Sequence, residues 1–250
     1  MYLNIAAYHF HPVADPQQLA DRLRDVAEQH GLLGTVLVAP EGINAFLVGA
    51  EPVVEAWLDV LRAQDGFSDV AVKRSRSQSA PFARLKVKCK PEIITFRREQ
   101  TSPLQGRAPE VSPRDLARWI AQGCDDAGRP LRLLDTRNRE EFAHGSFENA
   151  LTLPIDKFTD LPDALEAHRA DLQEAAVVGF CTGGIRCEKA VRWMQQAGFD
   201  HAYQLKGGIL GYFEEVGGFG YSGRCFVFDE RVALDAQLQP LVDTEVASRS

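Results

Sequence analysis

The chain has 250 residues, 45% of them hydrophobic and 25% charged, with a formal net charge of −7. That composition belongs to a soluble globular protein and excludes disorder, collagen and coiled coil as the main state, and no apolar run approaches the ~18 residues of a membrane span. Met1-Tyr2-Leu3-Asn4-Ile5 lacks the basic start of a secretory signal, and five cysteines (89, 124, 181, 187, 225) with no C-x-x-C pair point to reduced thiols in the cytoplasm.

Leu3–Phe10 reads as an apolar strand, and Pro16 to His30 as a helix with Leu19, Leu23, Val26 and Ala27 at helical spacing. Gly34–Ala39 and Ile43–Val48 are strands joined by the turn Pro40-Glu41-Gly42, a hairpin. Val53–Leu61 is a second helix that turns Val54, Trp57, Leu58 and Leu61 inward. Val70–Arg74 and Arg84–Lys90 are further strands. The order βαββαβ implies a ferredoxin-like α+β domain over residues 1–98.

Charge is distributed unevenly along this half. Residues 1–72 hold 3 basic and 10 acidic side chains, whereas residues 73–98 hold 9 basic and 1 acidic. The block comprises Lys73, Arg74, Arg76, Arg84, Lys86, Lys88, Lys90, Arg97 and Arg98. Concentrated cations in an acidic protein suit a polyanion such as RNA; the other reading is a strand edge kept soluble by lysine. In Leu85–Lys90 strict alternation puts Lys86, Lys88 and Lys90 on one strand face, with Leu85, Val87 and Cys89 opposite.

Residues 99–111 carry two prolines and a glycine and read as an interdomain linker. In the second half Ser112, Pro113 and Asp115 form a helix start, followed by the buried stripe Leu116, Trp119 and Ile120. Leu131–Asp135 and Ala175–Phe180 are strands, the latter without a polar side chain, as befits a central parallel strand. Ile185–Ala197 is a helix and Ala202–Leu205 a strand, so residues 112–219 read as α/β with a parallel sheet. Residues 220–250 are left as a tail whose last part is polar and loose.

Chemistry concentrates where the apolar strand 175–180 ends. Cys181 is followed by Thr182, Gly183 and Gly184, then by Ile185 and Arg186 at the start of a helix. Open α/β sheets place sites at the carboxyl ends of strands. The small residues let backbone amides curl around the sulfur, and the helix dipole and Arg186 add positive potential. All three favour a thiolate, so Cys181 is expected to be a nucleophile rather than an inert buried cysteine.

Cys181 and Arg186 enclose four residues, C-x4-R, a tighter ring than the C-x5-R of cysteine phosphatases. This resembles the rhodanese active-site loop, which holds a cysteine persulfide. The stretch Asp135-Thr136-Arg137-Asn138-Arg139-Glu140-Glu141-Phe142-Ala143-His144-Gly145-Ser146-Phe147, then Ala150 and Pro154, resembles the rhodanese D-x-R-x-x-x-E motif and its continuation. Asp135 and Arg137 are thereby expected to support the pocket. GTVLVAPEGIN (34–44), PFARLKVKCKPEIITF (81–96), CTGGIRCEKA (181–190) and FVFDERV (226–232), in that order, resemble the rhodanese-domain, oxygen-dependent tRNA uridine(34) hydroxylases. Longer members carry a cysteine-rich C-terminal extension that this sequence lacks.

The resemblance implies an acylphosphatase-like first domain that helps hold tRNA, and a rhodanese-like domain with Cys181 as active-site cysteine. It further implies 5-hydroxyuridine formation at the wobble base in the anticodon loop, with molecular oxygen as co-substrate. Lys73, Arg74, Arg76, Arg84, Lys86, Lys88 and Lys90 are the candidate RNA contacts. Addition of Cys181 to C6 of the base would make C5 reactive towards oxygen, with the amide ring and Arg186 stabilising negative charge. The competing chemistry is a Cys181 persulfide delivering sulfur to a small thiol. No metal or other cofactor is evident: His9 and His11 share a strand face but lack a nearby carboxylate partner. Cys187 either packs against the sheet or resolves an oxidised Cys181. The Pro40–Asn44 turn either closes a hairpin or touches RNA. Gly207-Gly208 either lines the pocket mouth or caps a strand. Phe226–Phe228 is read as a buried strand, with base stacking as the alternative.

Overall fold

In a computed structural model that describes residues 1–227 and 231–239, the chain divides into two units, Met1–Arg107 and Ala108–Ser250.

The first unit runs β1 (Tyr2–Phe10), α1 (Pro16–Gln29), β2 (Leu33–Ala39), β3 (Gly42–Gly49), α2 (Glu51–Arg62), β4 (Val72–Ser77) and β5 (Leu85–Cys89). The sheet order is β4-β1-β3-β2-β5, antiparallel except for the parallel β2–β5 pair. Asp15 caps α1 by accepting from the Gln18 amide at 2.9 Å. One sheet face, carrying Leu3, Ile5, Ala7, Val36, Val38, Ala45 and Leu47, packs on Leu23, Val54, Trp57, Leu58 and Leu61 of the two helices. Trp57 is fully buried, and its Nε1 donates to the Leu23 carbonyl at 3.0 Å, tying α2 to α1. The 40–44 turn closes the hairpin and also grips the chain beyond β5. Glu41 accepts from the Ile93 amide at 2.8 Å, and Asn44 donates to the Ile93 carbonyl at 3.2 Å.

The fourth strand differs from the expected 70–74: it begins at Val72 and runs on to Ser77. Val70 is buried before the strand starts. The polar continuation is held as a strand because Arg74 and Arg76 lie opposite Ile5 and Leu3, on the helix side, where α2 offers Glu55 and Glu51.

The second unit contains β6 (Glu110–Val111), α3 (Pro113–Gln122), β7 (Leu131–Asp135), α4 (Arg139–Phe142), β8 (Gly145–Phe147), β9 (Leu151–Thr152), α5 (Leu161–Glu166) and α6 (Arg169–Leu172). It continues with β10 (Ala176–Phe180), α7 (Ile185–Gln196), β11 (Ala202–Leu205), α8 (Gly208–Val216), β12 (Tyr221–Gly223), β13 (Cys225–Phe226) and β14 (Ala233–Leu234). Its main sheet, β6-β11-β10-β7-β9, is parallel throughout. Val178 and Phe180 of β10 pack towards α3 and α8, while an added Cβ at Gly179 would meet Val191 of α7. This two-sided cover is why β10 reads as an unbroken apolar run.

The segment expected to link the domains is ordered. Thr101 and Pro103 are buried, and Glu110–Val111 pairs in parallel with β11 at the sheet edge. Beyond residue 219 the described residues, 220–227 and 231–239, also fold onto the domain. Tyr221 pairs with Phe147, and Ala236 and Leu238 pack on the core. Phe228, the end of the FVF run, and residues 240–250 lie outside the described residues. No helix among the described residues is long and apolar enough to cross a membrane.

Replacing Trp57 with alanine removes the largest buried side chain of the first unit together with its hydrogen bond. A loss of about 3–5 kcal/mol is expected in urea denaturation of the full chain.

Candidate active site

Cys181 follows β10 directly, at its carboxyl end, and is 2% exposed. The turn that follows needs glycine. Gly184 caps α7 at φ +99°, a left-handed conformation that a side chain would strain. In that conformation its amide donates to Cys181 Sγ at 3.2 Å. The backbone of Arg186 and the thiol of Cys187 also hydrogen-bond the sulfur.

Burial opposes ionisation of Cys181. The Cys187 thiol, the Arg186 charge and the amides of Arg186 and Gly184 outweigh it, and the pKa falls to about 6. Cys187 moves the other way: burial and the neighbouring Cys181 sulfur raise its pKa well above the usual thiol value. The pair is a thiolate next to a thiol.

A frame of buried charges holds the loop. Arg137 and Asp135 are both fully buried, with Arg137 Nη2 2.6 Å and Nε 2.9 Å from the carboxylate. Arg137 Nη2 also donates to the Gly145 carbonyl at 2.7 Å, and the Ser146 hydroxyl donates to Asp135 at 2.7 Å. This is the pocket support expected of the two residues. Arg186 adds the expected positive potential at Cys181. Both terminal nitrogens of its guanidinium are taken by Glu141, at 2.8 and 2.9 Å, so it acts on Cys181 through its field and fixes the loop to α4. Glu141 is in turn placed by a capping box with Asn138.

Two contacts with β13 have no signal in the sequence, and the glycine pair at 207–208 proves to lie against the loop. The Thr182 hydroxyl donates to the Phe226 carbonyl at 3.2 Å, so β13 borders the loop. Phe226 lies in β13, as expected of a strand, between buried Cys225 and Val227, but its own ring is half-buried against His144, with centroids 5.4 Å apart. Gly208 lies under the loop at φ +63°, where a Cβ would come 2.5 Å from the Cys181 carbonyl and 2.6 Å from the Gly184 amide. It opens α8, whose Ile209 and Leu210 amides donate to the carbonyls of Cys181 and Thr182 at 2.9 and 3.1 Å. Only the Gly-Gly pair and the motif glutamate gave any signal of this in the sequence.

Of the other cysteines, Cys225 is buried near Thr182, and burial pushes its pKa up to about 12. Cys89 is exposed and Cys124 partly so. In the first unit His9 Nε2 lies 3.9 Å from Asp69, a carboxylate that was not close in sequence. Among the described residues no three His, Cys, Asp or Glu side chains group to hold a metal.

The basic block is split by the sheet. Lys73, Arg74 and Arg76 lie on β4 at one edge, and Lys86 and Lys88 on β5 at the other, flanked by Arg84 and Lys90. The single polyanion surface suggested by sequence proximity is therefore two. On β4, Arg74 and Arg76 are neutralised by Glu55 and Glu51 at 3.1 and 2.8 Å. On β5, Arg84, Lys86, Lys88 and Lys90 are exposed and form no ion pair with a described residue. Lys86 and Lys88 sit opposite Thr35 and Leu37, on the face away from the helices. They share a groove with Arg24, Arg84 and Glu28.

Residues 2–93 match a family described as UPF0176 acylphosphatase like domain, and residues 112–215 match the rhodanese-like domain. A tRNA uridine(34) hydroxylase of Xanthomonas euvesicatoria is 63% identical over 245 residues, covering 98% of this chain and 99% of that protein. The chain belongs to the tRNA uridine(34) hydroxylase family. A member from Xylella fastidiosa is 57% identical over 246 residues, covering 98% of this chain and 96% of that one. The acylphosphatase-like and rhodanese-like domains of this family are the two units described above.

The geometry sets two expectations. Alkylation of Cys181 by iodoacetamide should rise with pH through a midpoint near 6, since the thiolate is the reactive form and is populated above its pKa. Gly208→Ala should slow that alkylation by about a hundredfold, the scale of an ångström displacement in a reactive site, while circular dichroism stays unchanged.

Proposed function

We propose that this chain hydroxylates C5 of the wobble uridine of tRNA, with molecular oxygen as co-substrate and Cys181 as nucleophile, in the cytoplasm. The observation that carries the reading is a thiolate held at the head of a glycine turn, in a chain alike over nearly its whole length to tRNA uridine(34) hydroxylases.

The chemistry follows from what a thiolate does to a uracil ring. The Cys181 sulfur adds to C6, and the electron pair of the C5=C6 bond moves onto C5 and the C4 carbonyl. C5 is then enolate-like and bonds to one atom of molecular oxygen; two electrons and two protons from a thiol reductant cleave the O–O bond, leaving a hydroxyl on C5 and releasing the other atom as water. Loss of the C5 proton and cleavage of the C6–S bond restore the ring and the thiolate. Covalent addition divides a difficult C–H oxidation into steps of lower barrier. Taking the target base out of an anticodon loop costs little stacking energy. The frame of Arg137, Asp135, Arg186 and Glu141 keeps the sulfur and the surrounding amides in place.

For the tRNA backbone we favour the β5 edge. Its cations lack intramolecular partners among the described residues, whereas two on β4 already have carboxylates. Neutralising phosphates with such side chains gives salt-dependent affinity.

Two experiments test the proposal. In cells with this enzyme as sole hydroxylase, nucleoside mass spectrometry of total tRNA should lose 5-hydroxyuridine on Cys181→Ser. Its persistence together with loss of a thiolated nucleoside would favour the persulfide chemistry instead. In tRNA binding, Lys86→Glu with Lys88→Glu should weaken affinity and lower the salt slope by about two, while Arg74→Glu should change it far less.

A further inference from the structure

Hydroxylation with molecular oxygen requires more than oxygen. One oxygen atom enters the base and the other becomes water, a change that draws two electrons and two protons from elsewhere. Two thiols joined as a disulfide release that number of each.

Cys187 occupies the first turn of α7 and is fully buried, with its thiol beside the Cys181 sulfur. On its other side lies Thr136 Oγ1 at 3.6 Å. The Thr136 hydroxyl is itself anchored to the Phe180 carbonyl at 3.0 Å, and the Cys187 amide to the Gly184 carbonyl at 3.0 Å. Packing against the sheet accounts for the burial of Cys187. It does not account for a second thiol held by Thr136 beside the Cys181 sulfur.

We propose that Cys181 and Cys187 together are the two-electron donor for the hydroxylation, and that Cys187 reduces the oxygenated base. The inference rests on the hydroxylase reading above. With Cys181 bonded to C6, the C5 carbanion adds to molecular oxygen and, on protonation, gives a hydroperoxide at C5. The carbon that bears it adjoins the carbon bonded to Cys181, so the hydroperoxide forms next to the Cys187 sulfur. Cys187 attacks its outer oxygen. The O–O bond breaks, leaving a hydroxyl on C5 and a sulfenic acid on Cys187. Loss of the C5 proton and cleavage of C6–S release 5-hydroxyuridine and free the Cys181 thiolate. Cys181 then attacks the Cys187 sulfenic acid, forming the S–S bond and expelling water. In sum, uridine, molecular oxygen and two thiols give 5-hydroxyuridine, water and one disulfide. A dithiol reductant reopens the disulfide before the next turnover. The opposite pKa shifts of the two sulfurs fit this division, with a thiolate to add to the ring and a neighbour that keeps its proton until oxygen has reacted.

The test is a single turnover of the full-length enzyme, reduced, freed of small thiols and mixed with unmodified tRNA in air-saturated buffer. After acid quench and alkylation, mass spectrometry counts 5-hydroxyuridine and the Cys181–Cys187 disulfide. One disulfide per 5-hydroxyuridine is expected, with no further product until dithiothreitol is added. Repeated product formation with both thiols still reduced would overturn the inference and leave the hydroxylase reading intact. No 5-hydroxyuridine even with air and excess dithiothreitol would overturn the hydroxylase reading and this inference with it. Cys187→Ser keeps a hydrogen-bond donor beside Cys181. It is expected to lower the single-turnover yield about tenfold or more while Cys181 still alkylates. Full yield from that variant would equally overturn the inference.

Discussion

Keeping a sulfur both fully buried and ionised near neutral pH is the demand around which the second unit is built. Desolvation alone would drive the Cys181 pKa up, as it does for Cys225. The opposite result needs several donors converging on one atom, and those donors are useful only if they cannot turn away. The glycine turn supplies amides, α7 supplies a thiol and a guanidinium, and α8 holds the back of the turn through two backbone hydrogen bonds.

The charged frame follows from the same demand. A lone guanidinium buried beside the loop would be costly, so Arg186 is neutralised by Glu141, and Arg137 by Asp135. The Arg186–Glu141 pair joins segments distant in sequence, the first turn of α7 and α4, while Arg137 and Asp135, two residues apart, tie the end of β7 to the Gly145 carbonyl at the start of β8. Such pairs add little net stability over an apolar core, but they fix geometry. Breaking one leaves an uncompensated charge. The positive potential at Cys181 is thereby kept while the arginine itself is not free to contact a substrate.

Much of this was legible in the sequence because it is local. The βαββαβ order, the apolar run of β10 and the Ser112 cap with Pro113 and Asp115 are set by periodicity and capping chemistry, and the structure holds them. The strand–thiol–glycine–helix junction was readable for the same reason, since strand end, turn and helix start are adjacent in the chain. The less legible parts are polar strands and pairings across long separations. β4 was placed early because its latter half, Arg74 to Ser77, carries no apolar alternation. It is a strand because α2 provides acidic partners on the helix side. The region after residue 220 looked like a tail because β12, β13 and β14 have two or three residues each and gain order only by packing on the domain.

Spacing along the chain by itself determined the two domain types and the strand-end Cys181 with its C-x4-R loop, since each depends on neighbours a few residues apart. It also gathered nine cations into one block, and there it misled. The sheet order sends β4 and β5 to opposite edges, so charges adjacent in sequence are separated in space, and among the described residues the β5 set has no carboxylate partners. Tertiary structure alone decided that separation. It alone decided the capture of Arg186 by Glu141 and the approach of Phe226 to Thr182. The physical reason is common to all three. A charge or a sulfur acts over a few ångströms, and which groups come within that range is settled by packing of the sheet and helices rather than by distance along the chain.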